Sequence, residues 1–335
     1  MSALKVGVVG VGSLGFHHAR ILREVEGAKL VGIQDSNPAR LAQVSAELGV
    51  MAYDSMEKLL GRIQACVVAV PTTAHERVAR AALERGVHVL VEKPIAPDLA
   101  AADRMLAAAE ASGALVQIGH VERFNGALRA CEPYLDQPIF VESHRLAPFG
   151  PRGTDVAVVL DLMIHDLDLV LSLMKRPVQS ISAVGVPVLT SSPDIANARL
   201  EFEGGGVANL TASRVSLDRM RKIRFFQRSG YISLDLAAGK GEFLRLRPGV
   251  SMEERLAKLG ADNRALDFTA LLDIVERISL VGDGAEPLRA ELESFVAAAQ
   301  GQAPVEVSGR EGRDALAVAL EIIRRIEKYV ITAPA

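Results

Sequence analysis

A chain of 335 residues, 49% apolar and 24% charged, is long enough for two domains with separate cores. Its formal charge of -3 gives no global field toward nucleic acid or membrane, and 4% aromatics with no Trp leaves few platforms for stacked bases. No run approaches the roughly 18 apolar residues of a membrane span, and Cys66 and Cys131 lack a CxxC spacing, so free thiols in a reducing cytoplasm are expected.

The chain opens with a buried-strand pattern over Leu4–Val9 that runs into Gly10-Val11-Gly12-Ser13-Leu14-Gly15, with a helix expected over Phe16–Glu26. In a strand–turn–helix context the first glycine allows the tight turn, the second lets backbone approach a pyrophosphate, and the third lets helix and strand pack closely. The helix N-terminus then offers free N–H groups to phosphate. Further strands are expected near Lys29–Gln34, Cys66–Val70, His88–Val91 and Leu115–Gly119. Helices are expected over Pro38–Leu48, Ser55–Leu60, Ala74–Arg85 and Leu99–Ala111, the last capped by Asp98. Regular strand–helix alternation implies a doubly wound parallel sheet of Rossmann type over residues 1–122.

The pattern then changes. Phe124–Leu135 reads as a connecting helix, Ile139–Leu146 as a strand, and Val156–Met174 as a helix apolar nearly all round. Period-2 stretches follow at Gln179–Val188, Ala196–Phe202, Val207–Ala212, Lys222–Gln227, Tyr231–Leu236 and Glu242–Leu246, with no helices between them. Residues 123–335 therefore read as an α+β domain built on a large, mostly antiparallel open sheet. Glu253–Gly301 reads as helical, and a last helix from Arg310 to Tyr329 carries the stripe Leu316, Leu320, Ile323 and Ile326; that helix can pack back on the first domain.

Several residues carry chemistry. Asp35 ends the second strand twenty residues after Gly15, where a carboxylate accepts both ribose hydroxyls and repels a 2′-phosphate; Ser36 and Arg40 can soften that preference for NAD over NADP. The alternative for Asp35 is a cap for the Pro38 helix. Pro71, Thr72 and His75, in the loop after the next strand, fall at the cofactor crevice, or simply start a helix. Lys93, between Glu92 and Pro94 at a strand end, can hold a substrate hydroxyl and the nicotinamide ribose, with Glu92 pairing or tuning it. Asp161 and His165 share a face at helical spacing, with Asp168 three further on; imidazole beside carboxylate suits a proton acceptor near neutral pH. A metal-dependent hydrolase is the competing use of such a cluster, but no further His or Cys group supports a metal. His17 and His18 read as packing or cofactor-edge residues, and His88 as structural. Arg123 and Asn125, at the domain junction, can contact a polar substrate or form junction salt bridges.

Together these residues resemble the glucose–fructose oxidoreductase/inositol dehydrogenase family, Gfo/Idh/MocA. The likeness runs over nearly the whole chain: Gly10–Gly15, Asp35, Pro71–His75, Glu92-Lys93-Pro94, Arg123-Phe124, Asp161 through Asp168, and Pro287-Leu288 with Glu291-Leu292-Glu293-Ser294-Phe295. The resemblance implies a two-domain, NAD-dependent sugar oxidoreductase with Lys93, Asp161 and His165 catalytic. One departure is Val158-Val159-Leu160, where many members have glycines. Gly119 to Asn125 and Asp161 to Asp166 further resemble the branch of UDP-N-acetylglucosamine 3-dehydrogenases. That likeness implies a 3-keto nucleotide sugar, aminated by a partner aminotransferase for lipid A. Arg123 would then meet the substrate pyrophosphate. The alternatives are a free sugar or cyclitol such as inositol, and a dinucleotide-binding regulator without turnover. A homodimer or homotetramer is expected, because a broad apolar sheet face needs cover.

Overall fold

The computed structural model describes residues 3–150, 156–247, 249, 251 and 275–328. The chain forms two compact units. The first comprises Met1–Phe124, Leu167–Leu169 and Ala285–Arg324; the second comprises Asn125–Asp166, Val170–Gly284 and Arg325–Ala335. The first unit thus takes in a late segment that chain continuity assigned to the second domain.

In the first unit five parallel strands lie in the order β2-β1-β3-β4-β5: β1 (Leu4–Val9), β2 (Ala28–Gln34), β3 (Ala65–Val68), β4 (His88–Glu92) and β5 (Val116–Gly119). β3 and β5 are buried at every position, as strands covered on both faces must be. The chain leaves β1 toward β2 on one side and returns to β3 on the other, which opens a crevice at the carboxyl ends of those strands. The helices are α1 (Ser13–Leu22), α2 (Pro38–Leu48), α3 (Met56–Leu60), α4 (His75–Leu83) and α5 (Leu99–Ser112). Asp98 caps α5 as expected, accepting from Ala101 N–H at 2.8 Å. Asn37 caps α2, so capping is not the task of Asp35.

In the second unit a short helix α6 (Gly126–Cys131) precedes β6 (Phe140–Leu146). A π-turn (Val159–Met163) then leads into α7 (Ile164–Met174), whose residues 167–169 belong to the first unit. The strands β7 (Val178–Val186), β8 (Ile195–Phe202), β9 (Val207–Ser213), β10 (Met220–Gln227), β11 (Gly230–Asp235), β12 (Lys240–Leu246) and β13 (Val275–Val281) follow. They form an eight-stranded sheet in the order β13-β12-β11-β10-β6-β9-β8-β7. Only the β6–β9 pairing is parallel.

β13 corrects the expected helix over Glu253–Gly301. Its Glu276, Ile278 and Leu280 turn toward cover while Arg277, Ser279 and Val281 are exposed, a period of two that the mixed composition hid. The helix begins only at Pro287, as α8 (Pro287–Ala299), and residues 253–274 of that expected helix lie outside the described residues. The last helix, α9, is Gly309–Lys328. Leu292, Phe295 and Val296 of α8 join Val6, Val8, Ile21 and Leu22 in the core of the first unit.

The inner face of the large sheet buries Val141, Leu200, Leu210, Phe225 and Ile232. The other face is not the broad apolar surface expected. It carries Arg224 with Glu142, Arg199 with Glu201, and Asn197 with Thr211, around an aromatic group of Phe140, Phe226 and Tyr231. Cys66 and Cys131 are free and buried, and burial pushes both thiols up to about 12. Among the described residues no helix is long and apolar enough to cross a membrane.

Candidate active site

The glycine turn after β1 is fixed by sterics. Gly10 has φ +86°, and a Cβ there would lie 2.5 Å from the Ala69 carbonyl oxygen. A Cβ on Gly15 would lie 1.8 Å from the Gly10 carbonyl oxygen. Gly12 is different: a Cβ there would meet nothing within 4 Å. The first two glycines are needed to fold the turn, whereas Gly12 faces open space. α1 begins next at Ser13, with no side-chain cap on its N-terminus, and Leu14 is exposed. Open space beside an uncapped helix N-terminus fits a dinucleotide pyrophosphate.

Asp35 stands at the end of β2. Its Oδ2 accepts Val11 N–H at 2.7 Å and its Oδ1 accepts Asn37 N–H at 2.8 Å. Each oxygen keeps a second lone pair for a ribose hydroxyl. Ser36 is exposed beside it. Arg40 braces the turn, donating from Nε to the Val11 carbonyl at 2.8 Å, with its guanidinium 5.6 Å from the Phe16 ring centroid. Pro71 is exposed and Thr72 half-buried in the turn after β3.

His75 is not exposed at the crevice, where a cofactor contact would need it. It is 1% exposed, and its Nδ1 and Nε2 each lie 2.9 Å from a carbonyl oxygen, of Pro94 and Val70 respectively. Burial outweighs those carbonyls and lowers its pKa. Its role is to hold the turn after β3 to the turn after β4. Lys93 is half-buried in that second turn. Glu92, expected among the cofactor contacts, is instead buried, with Oε1 2.6 Å from His18 Nε2. Burial alone would raise this carboxyl; the His18 bond leads the effects that hold it below the usual range.

Of the two readings open for Arg123 and Asn125, substrate contact or salt bridges within the protein, the contacts seen are of the second kind. Arg123 grips Asp168 with two bonds of 2.6 and 2.9 Å and reaches Glu311 at 3.1 Å. Asn125 caps α6 through Ala127 N–H and donates to the Leu236 carbonyl at 2.9 Å. Both side chains are committed inside the protein, so neither is available to a substrate in this arrangement.

In the second unit the expected helix from Val156 is two pieces. Asp161 lies in the π-turn, where Ile164 N–H reaches the Val159 carbonyl, and His165 opens α7. Val158 and Met163, and Val159 and Ile164, are buried pairs five residues apart, a spacing that suits the wider turn better than an α-helix. Asp161 and His165 are both half-buried. Around them sit partners that the sequence reading missed. Asp166 is clasped by Arg145 of β6 through two 2.9 Å bonds, both side chains being buried. Arg214 donates to the Val156 carbonyl, and Val158 N–H to the Pro193 carbonyl, which holds the start of the turn. These pairings span 21 to 58 residues and leave no local pattern. His18 did leave a signal: it lies one helical turn beyond Gly15, on the side where α1 meets the sheet. Asp166 and Asp168 are both held by arginines, and among the described residues no three His, Cys, Asp or Glu side chains are placed to hold a metal.

A parallel sheet with this glycine turn, an acid ending β2 and a second open-sheet unit defines a dinucleotide-dependent oxidoreductase. Residues 4–120 match the model of the oxidoreductase family with an NAD-binding Rossmann fold, and residues 117–233 match the Gfo/Idh/MocA C-terminal domain. The UDP-N-acetylglucosamine 3-dehydrogenase of Acidithiobacillus ferrooxidans is 35% identical over 98% of this chain and 99% of its own. A solved structure of that enzyme superposes with a TM-score of 0.87 at 33% identity, covering 98% of this chain and 99% of the other. The scyllo-inositol 2-dehydrogenase (NAD(+)) of Bacillus subtilis is 28% identical over 64% of this chain and 68% of its own. The chain belongs to the Gfo/Idh/MocA oxidoreductase family. It is an oxidoreductase, and its cofactor is NAD.

Proposed function

We propose that the chain acts in the cytoplasm to oxidise UDP-N-acetylglucosamine at the 3-hydroxyl, giving a 3-keto nucleotide sugar. The observation that carries this reading is coverage. The likeness to the UDP-N-acetylglucosamine 3-dehydrogenase runs over 98% of the chain, whereas that to the inositol 2-dehydrogenase of Leifsonia xyli stops at 53%. The first likeness therefore takes in nearly all of the second unit. Arg123 lends no support, since Asp168 and Glu311 hold it.

The cofactor is held by the Gly10–Gly15 turn, the N-terminus of α1 and Asp35. Bound NAD supplies the acceptor for the hydride that leaves the alcohol carbon. The chain's own side chains manage the proton. His165 takes it from the hydroxyl as the C–H bond breaks and C=O forms, and Asp161 orients and stabilises the resulting imidazolium. Lys93 holds the hydroxyl oxygen and assists the transfer. His165→Ala and Lys93→Met each cut turnover by about 10²–10⁴-fold with folding intact.

A 3-ketone is a substrate for amination, so an aminotransferase of surface-lipid synthesis is the expected consumer of the product. The aromatic group on the open sheet, with the exposed Val184 and Val186, supports docking of a second copy, which light scattering tests.

The decisive measurement is a panel of UDP-sugars and free sugars with NAD, followed at the reduced-nicotinamide absorbance, with an added aminotransferase to draw off product. Turnover of UDP-N-acetylglucosamine is expected. Turnover of inositol or glucose with no UDP-sugar would overturn the substrate and leave the family standing.

A further inference from the structure

Glu92 and His18 sit 74 residues apart in sequence, and both are buried. Their 2.6 Å contact joins α1, which opens at the glycine turn, to the end of β4. The second carboxylate oxygen, Oε2, accepts the main-chain N–H of Lys93 at 3.3 Å. β5 makes room for this carboxyl: a Cβ on Gly119 would stand 3.2 Å from Oε2 and 3.2 Å from the Glu92 Cα. The pair is built in from three sides, and the proton handling described above does not use it.

We infer that His18 and Glu92 are positioning residues for Lys93: their buried bond fixes a carboxylate under the lysine turn, and that charge strengthens the hold of the Lys93 amine on its proton. The inference rests on the assignment of Lys93 to the chemistry, but it concerns the lysine itself and not the sugar.

Of the neighbouring groups, Asp168 is paired with Arg123, and Glu92 is the acid bonded to the Lys93 main chain. His75 of α4 and His120 after β5 are both lowered by burial, so neither adds a competing cation at neutral pH. Glu291 of α8 is fully buried, and neither of its carboxyl oxygens has a hydrogen-bond partner among the described residues. Burial first, and the Glu92 charge second, push its carboxyl well above the usual range, so it is a neutral acid. A carboxylate held ionised can only accept, so His18 Nε2 carries the proton of the 2.6 Å bond, while its Nδ1 has no hydrogen-bond partner among the described residues. Without that donor, burial dominates at Glu92, the carboxyl takes up a proton, and the negative charge beside the Lys93 turn is lost.

The test is competitive acetylation of the full-length protein across a pH series, with the Lys93 peptide read by mass spectrometry. No substrate or cofactor is present, so the outcome does not depend on which sugar is turned over. Glu92→Gln is expected to lower the Lys93 titration midpoint by about one pH unit, as loss of a near opposite charge does. His18→Leu shifts it the same way, and His18→Gln, whose amide N–H replaces the Nε2 donor, restores the wild-type midpoint. Circular dichroism checks folding; should His18→Leu fail to fold, Glu92→Gln and His18→Gln decide. An unchanged midpoint in folded Glu92→Gln overturns the inference. If the assignment of Lys93 to catalysis were wrong instead, Lys93→Met would keep turnover while the midpoint shifts remained.

Discussion

The two units place their proposed functional groups by different means. In the first, Gly10, Gly12 and Asp35 follow or end the strands β1 and β2, and Gly15 lies in the first turn of α1, so each is positioned by the backbone next to it. In the second, Asp161 and His165 sit within and just after a π-turn whose surroundings are held by residues far away in sequence: Arg145 on Asp166, and Arg214 on Val156. The difference teaches where damage spreads. A fault in the glycine turn acts through local backbone, and a fault around the π-turn acts through loss of a distant partner.

The largest effect that tests this contrast is a pair of glycine substitutions one turn apart. In Gly15→Ala the new Cβ lies 1.8 Å from the Gly10 carbonyl oxygen, backbone that cannot step aside. A loss above about 4 kcal/mol, or failure to fold, is expected in thermal or denaturant unfolding. Gly12→Ala meets nothing within 4 Å and has φ -62°, so stability stays within about 0.5 kcal/mol while NAD titration weakens markedly. If Gly12→Ala unfolds the protein as readily as Gly15→Ala, Gly12 is a folding glycine and the phosphate cradle is misplaced.

This contrast also explains what could be read from the sequence. The parallel sheet, the glycine turn, Asp35 and the Asp98 cap were legible because each rests on a few adjacent residues and a hydrophobic period. Arg123 and Asn125 were left between two readings because their partners, Asp168, Glu311 and Leu236, lie 45 to 188 residues away. The π-turn was hidden because its apolar residues also satisfy a helical pattern, and only the five-residue spacing of the pairs Val158–Met163 and Val159–Ile164 betrays it. β13 was lost among helix-forming residues, since a strand of seven gives few alternations to count. Glu92 and His18 were each visible, but nothing local joins them.

A smaller effect separates a structural arginine from a substrate-binding one. Arg145→Met removes one member of an ion pair whose side chains are 5% and 3% exposed, leaving Asp166 buried and unpaired. About 3–5 kcal/mol is expected, with much of it recovered in the double variant Arg145→Met/Asp166→Leu. Arg123→Met, which strands Asp168 at 1% side-chain exposure, belongs to the same class. Its unfolding midpoint drops, whereas a substrate-contacting arginine would raise KM and leave the midpoint alone. Stability and KM measured on the one variant distinguish the two roles.

The smallest of the three effects concerns Asp194, fully buried in the second unit. Burial acts to raise its carboxyl. Against that, Val188, Leu189 and Thr190 donate N–H groups to Oδ2 at 2.8, 2.6 and 2.9 Å, and the Thr190 hydroxyl donates to Oδ1, which together hold its pKa at about 2. The folded value lies below the unfolded value of 3.8, so the contribution is complete above the unfolded pKa and is lost as pH falls through the folded one. It amounts to roughly 2 kcal/mol at neutral pH. Asp194→Asn removes the charge and turns an amide N–H toward one or more of those donors. The wild-type and variant stabilities should therefore differ most at pH 7, and the gap should narrow as pH falls from about 5 toward 2. The loop's return to the Arg214–Val156 contact gives the test a functional arm, because Arg214 N–H also donates to the Asp194 carbonyl at 2.9 Å. If Asp194 braces the start of the π-turn through Arg214, the variant loses kcat at pH 7 by more than its unfolded fraction explains. A stability loss with kcat per folded molecule unchanged would confine Asp194 to the loop and leave the π-turn braced by other contacts.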